Sequence, residues 1–347
     1  MRILITGGAG LVGSHCAEFF ASEHHNNEVI VLDNLMRSHI FGYDKASVEF
    51  NWNYLKKFKN ITRIKGDVRD DRDVKKAIGK GVDVVIHTAG QPGVPSSVRM
   101  PKEDFSINAF GTLNVLELAR QKSRDTIVIY CSTNKVYGEN VDKIPLAEKE
   151  KRYIFKDVPG VNEGMCTDLT GHTPYGVSKL VGDLYVQEYS HIYKMKTGVF
   201  RMSCTYGTRQ FGFEDQGWVA WFIIATLFNK PITIYGDGKQ VRDMLYADDL
   251  VDAFNKFINC DSKRGLFNIG GGPENTISLL EFLDELEVLT GKRPKVNFSD
   301  WRPSDQKVYI TDTSKLQKEL GWKIKTRVKE GITKLTRWVE ENESYFS

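Results

Sequence analysis

Thr6-Gly7-Gly8-Ala9-Gly10-Leu11-Val12-Gly13 stands near the start of the chain, between the apolar run Ile3 to Ile5 and a segment of helical spacing. Glycines here let the backbone turn tightly and approach a pyrophosphate, whose charge then meets the free amides of a helix N-terminus. The stretch fits Gly8-x-Gly10-x-x-Gly13 and Gly7-x-x-Gly10-x-x-Gly13 equally well. It therefore predicts a strand, a phosphate-cradling turn and a helix without choosing between dinucleotide-binding subfamilies. A carboxylate strengthens the signal. Asp33 stands twenty residues past Gly13, at the end of the next apolar run. There it can accept both ribose hydroxyls and would repel a 2′-phosphate, so NAD is expected rather than NADP. Arg37, in the turn that follows, reads as a solvated side chain.

Working outward, apolar β-branched runs recur at Arg2 to Ile5, Glu28 to Leu32, Ile61 to Lys65, Val82 to His87, Thr126 to Tyr130 and Thr197 to Arg201. Amphipathic stretches separate most of them, among them Glu103 to Arg120, Tyr175 to Tyr193 and Leu250 to Asn259. This alternation predicts an α/β fold, a doubly wound Rossmann-type parallel sheet buried on both faces. Past Tyr206 the rhythm changes to an aromatic helix at Trp218 to Phe228, short strands at Ile232 to Tyr235 and Leu266 to Ile269, and helices at Ser278 to Leu289 and Val328 to Asn342. A smaller α/β C-terminal lobe for the substrate is expected there. The division predicted is 1–202, with 243–262 returning to it, against 203–242 and 263–347. Two stretches without period, Met36 to Asn60 and Glu139 to Thr173, read as long loops, the second as a flap over the active site.

The bulk numbers exclude several classes. With 347 residues, 41% hydrophobic and 27% charged, the composition is that of an ordinary globular protein, and no apolar run is long enough for a membrane span. A net charge of +3 spread over alternating Lys and Glu gives no reason to expect nucleic acid. A strand starting within two residues of Met1 leaves no room for a leader, so a cytoplasmic location is expected. The five cysteines, Cys16, Cys131, Cys166, Cys204 and Cys260, lack ligand spacing and read as buried free thiols; His87, ending an apolar run, reads as a core residue. No metal is expected.

Tyr175-Gly176-Val177-Ser178-Lys179 carries the reactive pair. On a helix its phenol and ammonium, four residues apart, share one face. A phenol with a pKa of about 10 is a poor base at neutral pH, but an adjacent ammonium and a positive nicotinamide ring both favour the phenolate. Thr133, in Cys131-Ser132-Thr133-Asn134-Lys135-Val136-Tyr137-Gly138 after the fifth strand, is the candidate hydroxyl shared between substrate oxygen and Tyr175. Its alternative, with Ser132, is to close a turn. Asp67 can either meet the cofactor's adenine side or cap the helix that follows it.

At this point the chain resembles the extended short-chain dehydrogenase/reductase superfamily, and within it the nucleotide-sugar epimerases, over nearly its whole length. It is most similar to the subfamily that acts at C2 of CDP-3,6-dideoxyhexoses such as CDP-paratose and CDP-tyvelose. The residues behind that match are Ser132 to Gly138, Pro174-Tyr175-Gly176, Arg209-Gln210-Phe211, Asp215-Gln216-Gly217-Trp218-Val219, Gly236 to Asp243 and Ser304-Asp305-Gln306. The resemblance implies Thr133, Tyr175 and Lys179 as the catalytic residues. For the NAD contacts it implies Gly7, Gly10, Leu11, Val12, Gly13, Asp33, Asn34, Asp67, Val68, Ala89, Asn108, Tyr175 and Lys179. Arg242 and Arg302 fall on arginines that hold the substrate diphosphate, Asp305 on a carboxylate for the nucleoside ribose, and Arg209, Gln216 and Trp218 on further substrate contacts. A homo-oligomer, dimer or tetramer, is implied as well.

Two departures narrow the activity. Related 4,6-dehydratases carry Asp-Glu directly after the catalytic threonine, and this chain has Asn134-Lys135. An amide and an ammonium cannot serve as that acid and base. In UDP-galactose 4-epimerases an Asn stands two residues after the arginine matching Arg201, where this chain has Ser203. The expectation is an NAD-dependent 2-epimerase working through a 2-ketosugar, with UDP-hexose 4-epimerisation as the alternative and a non-catalytic NAD-binding regulator as a remoter one.

Overall fold

A computed structural model describes residues 1–23, 26–37, 46–302 and 304–346, which fall into two compact units. The first comprises Met1–Val136, Thr173–Arg201 and Val251–Phe267. Its sheet is built from β1 (Arg2–Thr6), β2 (Glu28–Asp33), β3 (Ile61–Lys65), β4 (Val84–His87), β5 (Ile127–Thr133), β6 (Thr197–Met202) and β7 (Arg264–Ile269). The spatial order is β7-β6-β5-β4-β1-β2-β3, and the pairs β1·β2, β1·β4, β2·β3 and β4·β5 are parallel. Helices cover both faces, so strands such as β4 are buried along their whole length, and the sequence shows unbroken apolar runs rather than alternation. Chain order reverses beside β1, which lies between β2 and β4. That switch point is where open α/β sheets bind ligands, outside the carboxyl ends of the strands.

The helix expected at Glu103 to Arg120 is a composite of Pro101–Phe105, a π-helical turn at Ser106–Phe110, and Gly111–Lys122. The π turn carries Asn108, whose amide is held by partners outside the helix; such turns recur at functional sites. Pro174–Tyr193 starts with a proline in its first turn and a Thr173 cap that accepts the Gly176 amide at 3.3 Å. Between β2 and β3, part of the expected Met36 to Asn60 loop is the helix Ala46–Tyr54 with a 3₁₀ turn at Leu55–Lys57; 38–45 lie outside the described residues.

The second unit comprises Tyr137–His172, Met202–Leu250 and the chain from Asn268 onward. Its central strand, Val241–Tyr246, pairs antiparallel with Thr276–Ser278 and parallel with Val308–Tyr309 and Cys204–Tyr206. The helices Trp218–Leu227, Leu279–Thr290 and Val328–Glu341 enclose a core of Phe222, Ile223, Met244, Phe282 and Leu335. Segment 137–172, expected in the first lobe as a loop, belongs here and is structured. It holds an antiparallel pair, Leu146–Glu148 with Tyr153–Phe155, and is tied down by Tyr153 N–H to the Lys239 carbonyl (3.0 Å) and Val161 N–H to the Ile310 carbonyl (2.7 Å). Val241–Tyr246 also lies in this unit, so the stretch returning to the first unit is Val251–Phe267 rather than 243–262.

Two further expectations are corrected. Only Cys16 and Cys131 are buried thiols; Cys166 is exposed and Cys204 and Cys260 are partly exposed. Arg37 is partly buried rather than solvated, and burial lowers its pKa to about 10. Among the described residues no helix is long and apolar enough to cross a membrane, and no group of three His, Cys, Asp or Glu is placed to hold a metal ion.

Candidate active site

The glycine turn joins β1 to the helix Leu11–Ser22. Gly7 has φ +70°, and a Cβ there would stand 2.6 Å from the Ala89 backbone; one on Gly13 would meet the Gly7 carbonyl at 2.3 Å. Gly8 is as constrained, 2.3 Å from a Val31 methyl, whereas Gly10 meets only the Gly7 carbonyl, at 3.2 Å. The Gly10 amide closes the turn on the Gly7 carbonyl at 3.0 Å, so Gly7, Gly10 and Gly13 shape the bend while Gly8 packs it against β2. The helix that follows has no side-chain cap and no acidic residue in its first turn, which includes Leu11 and Val12. Its first amides are free to meet an anion.

Asp33 ends β2 and accepts the amides of Ala9 (2.9 Å) and Leu35 (2.8 Å), which fix its carboxylate beside the turn. Burial raises its pKa. Asn34 donates to Asp67 at 2.9 Å, and Arg69 grips the same carboxylate at 2.7 Å. Burial pushes Asp67 up, but the hydrogen bonds from Arg69 and Asn34 outweigh it and hold Asp67 below the ordinary carboxylate range. The helix cap ahead of Asp71–Ile78 is Asp70, not Asp67. Val68 is buried and its carbonyl accepts the Asn114 amide at 2.8 Å. The free helix N-terminus, the narrow glycine cradle and the paired carboxylates at the ends of β2 and β3 suit the pyrophosphate and ribose of NAD.

Thr133 ends β5, where its hydroxyl accepts the Lys135 amide at 3.3 Å and closes the turn that follows, while Ser132 donates to Asp183; Tyr175 and Lys179 stand on the adjacent helix Pro174–Tyr193. The Thr133 hydroxyl lies beside the Tyr175 phenol and donates to Asn134 Oδ1 at 3.3 Å. Burial pushes the Tyr175 pKa up to about 12, against the opposing effect of the Thr133 hydroxyl. Lys179 is buried, its ammonium 4.1 Å over the Tyr130 ring, and burial pushes its pKa down to about 8. His87 is a core residue between the hydroxyls of Thr6 (2.7 Å) and Thr112 (3.0 Å), with its pKa lowered to about 3 by burial and by Lys179. Asn108 does not present a free amide. Its Nδ2 reaches the Gln91 carbonyl, Asp104 and Ser178, each at 3.1 Å, and its Oδ1 accepts the Gln91 amide at 2.8 Å.

One cluster escaped the sequence reading. Asp183 is fully buried, accepts Arg201 at 2.9 Å, Ser132 at 2.7 Å and Gln187 at 2.6 Å, and so ties the end of β5 to the helix bearing Tyr175 and Lys179. The available signal was its position four residues after Lys179, a carboxylate on the face that must be buried.

In the second unit Arg242 Nη2 is 2.6 Å from Asp305, and Arg302 is 3.1 Å from Asp215 with its guanidinium 3.8 Å over the Tyr235 ring. Arg242 and Asp305 thus lie together, while Arg302 joins the 214–216 turn, where Gln216 bridges to Phe213. Arg209 is buried with φ +63°. The Trp218 ring packs on Phe222 and Phe282, with centroids 5.5 and 5.0 Å away.

Comparison with known proteins shows the family. The chain matches the family described as GDP-mannose 4,6 dehydratase over residues 4–335. It is 40% identical to a CDP-paratose 2-epimerase of Salmonella typhi, covering 97% of this chain and 99% of that protein. It is 33% identical to a putative UDP-glucose 4-epimerase of Methanocaldococcus jannaschii, covering 98% and 99%. The crystal structure of UDP-glucuronic acid 4-epimerase from Bacillus cereus, in complex with UDP-glucuronic acid and NAD, superposes with a TM-score of 0.83 at 25% identity, covering 99% of this chain and 100% of that one. The chain belongs to the GDP-mannose 4,6-dehydratase family, among the nucleotide-sugar epimerases of the extended short-chain dehydrogenases/reductases.

Proposed function

We propose that this protein is an NAD-dependent nucleotide-sugar epimerase acting at C2 of a CDP-3,6-dideoxyhexose. The observation that carries the reaction type is the cluster of Thr133, Tyr175 and Lys179, with Asn134 and Lys135 following where a dehydratase needs its acid and base. The choice of C2 and of a CDP-sugar rests on the 40% identity to the Salmonella typhi protein.

NAD, when bound, supplies a reversible acceptor for the hydrogen on the reacting carbon. Tyr175 takes the proton of the sugar hydroxyl, and the Thr133 hydroxyl, which lies beside the phenol, is the donor assigned to the sugar oxygen. Lys179 favours the phenolate by its charge. Asp183 keeps the end of β5 and the helix in register, which matters because a misplacement of about 1 Å can cost 10²-fold in rate. Arg242, Arg302 and Asp305 are assigned the substrate's diphosphate and ribose, since guanidinium forks match phosphate oxygens and a carboxylate matches a diol. The cycle leaves no net redox change, so NAD stays bound between turnovers.

Self-association is part of the same reading. Phe105 and Phe110 in the composite helical run, and Val177, Leu184 and Tyr185 on Pro174–Tyr193, are 41–54% exposed, an apolar set that suits a second copy. The second reading, a UDP-hexose 4-epimerase, is favoured by the 33% identity to the Methanocaldococcus jannaschii protein. Incubation with CDP-paratose and, separately, UDP-glucose, followed by NMR of the sugar, decides between them by the carbon that inverts. Inversion at C4 of UDP-glucose with CDP-paratose untouched would replace the first reading by the second.

A further inference from the structure

Ile232–Tyr235 pairs in parallel with Val296–Ser299, Tyr235 opposite Ser299, and the Gly236 amide extends the ladder to the Ser299 carbonyl at 2.9 Å. Gly236 has φ +98°, and a Cβ there would stand 2.7 Å from the Trp301 ring. Glycine is what lets that ring settle so close to the backbone. The side chain that follows Trp301 then falls over the ring that precedes Gly236: the Arg302 guanidinium carbon lies 3.8 Å from the Tyr235 centroid. Tyr235 is itself pinned, its hydroxyl donating to Glu214 Oε1 at 2.8 Å and its carbonyl accepting Gln240 Nε2 at 2.7 Å.

A guanidinium carries its N–H donors in one plane, and an aromatic ring beneath it attracts the charge without consuming any of them. Among those donors Nη2 is engaged, by Asp215 at 3.1 Å and the Glu214 carbonyl at 3.4 Å. Nε and Nη1 have no acceptor among the described residues, and the Arg302 side chain is 26% exposed. A long side chain otherwise surrenders its rotamer freedom when it grips a phosphate. A ring that has already fixed the guanidinium removes that cost from binding.

We propose that Tyr235 is a positioning residue for Arg302: its ring holds the guanidinium in place ahead of binding and leaves Nε and Nη1 as the donors for the substrate's diphosphate. The inference rests on the assignment of Arg302 to that diphosphate. Because the ring does the holding and the hydroxyl only ties the ring to Glu214, phenylalanine at this position serves nearly as well and an aliphatic side chain does not. The effect is confined to the diphosphate, so CDP and UDP feel its loss alike and cytidine does not.

Calorimetric titration of the full-length protein, as purified, with CDP tests this in a double-mutant cycle of Tyr235→Leu and Arg302→Gln. Tyr235→Leu is expected to weaken CDP binding about fivefold, and Tyr235→Phe to leave it within about twofold of wild type. In the Arg302→Gln background Tyr235→Leu should add nothing, because the group it positions is gone. Wild-type affinity in folded Tyr235→Leu overturns the proposal, as does an equal loss in Tyr235→Phe or a loss that persists beside Arg302→Gln. Should Tyr235→Leu not fold, ring-fluorinated phenylalanine at the same position keeps the ring's shape while stripping the negative charge from its face. Affinity equal to that of Tyr235→Phe would then overturn the proposal. CDP binding indifferent to Arg302→Gln alone would take Arg302 off the diphosphate and the inference with it, whereas the choice of C2 fails separately, by the carbon that inverts during turnover.

Discussion

Tyr175 is placed where its working state is hardest to reach. Burial pushes its pKa up to about 12, and the neighbouring Thr133 hydroxyl offsets only part of that. In the proposed mechanism the phenolate would be favoured by Lys179 and by the charge of a bound nicotinamide. Tyr175→Phe keeps the ring and the nucleotide contacts, and its turnover is expected to drop by about 10² to 10⁴ with NAD and substrate affinity retained, measured by steady-state kinetics and calorimetry. His87 gives a test on stability. Its pKa falls from an ordinary 6.5 to about 3 in the folded chain, so below pH 6.5 the unfolded state binds the extra proton. This part of the stability is complete above pH 6.5 and is lost as pH falls toward 3. Unfolding free energy of His87→Asn, followed by denaturant across that range, should fall less steeply with acid than that of wild type. Tyr175, Lys179, Thr133 and Asp33 were legible because each stands at a fixed offset from a motif. Asp183 was not, since a carboxylate within a long helix looks solvated until the fold buries it against Arg201.

At the level of elements, the glycine turn separates packing from ligand approach. A methyl at Gly13 would stand 2.3 Å from the Gly7 carbonyl, a backbone atom that cannot swing aside, while one at Gly10 meets the same carbonyl at 3.2 Å. Gly13→Ala is accordingly expected to lower the melting temperature and abolish NAD retention, and Gly10→Ala to weaken NAD retention with a smaller change in melting. Thermal unfolding, with chromatography of nucleotide released on denaturation, reads both; equal melting losses would show that this view of the turn is wrong. Strands such as β1, β2 and β4 could be read from sequence because double-sided burial leaves unbroken apolar runs. The pair Leu146–Glu148 and Tyr153–Phe155 could not, being three residues each amid charged neighbours and held by partners far along the chain, such as Lys239. The π turn at Ser106–Phe110 left no periodic trace either, because it is set by what Asn108 binds outside the helix.

On the scale of the whole molecule, the α/β class and the second lobe followed from the change in rhythm past Tyr206, but the path between the units did not. Segment 137–172 was assigned by chain proximity to the first lobe, whereas its backbone hydrogen bonds run to the second. The apolar residues exposed on Pro174–Tyr193 predict a dimer or tetramer by light scattering at micromolar concentration; Leu184→Glu should shift it toward monomer with activity per folded chain as the further readout. The central claim is epimerisation at C2 by removal and return of the same hydrogen, with Tyr175 handling only the hydroxyl proton. Its most direct test is conversion of CDP-paratose by the purified protein in D₂O, with NMR of the recovered sugar at C2. The account predicts inversion at C2 with the original hydrogen retained there; deuterium incorporated at C2 would contradict it, because the carbon would then have exchanged a proton with solvent.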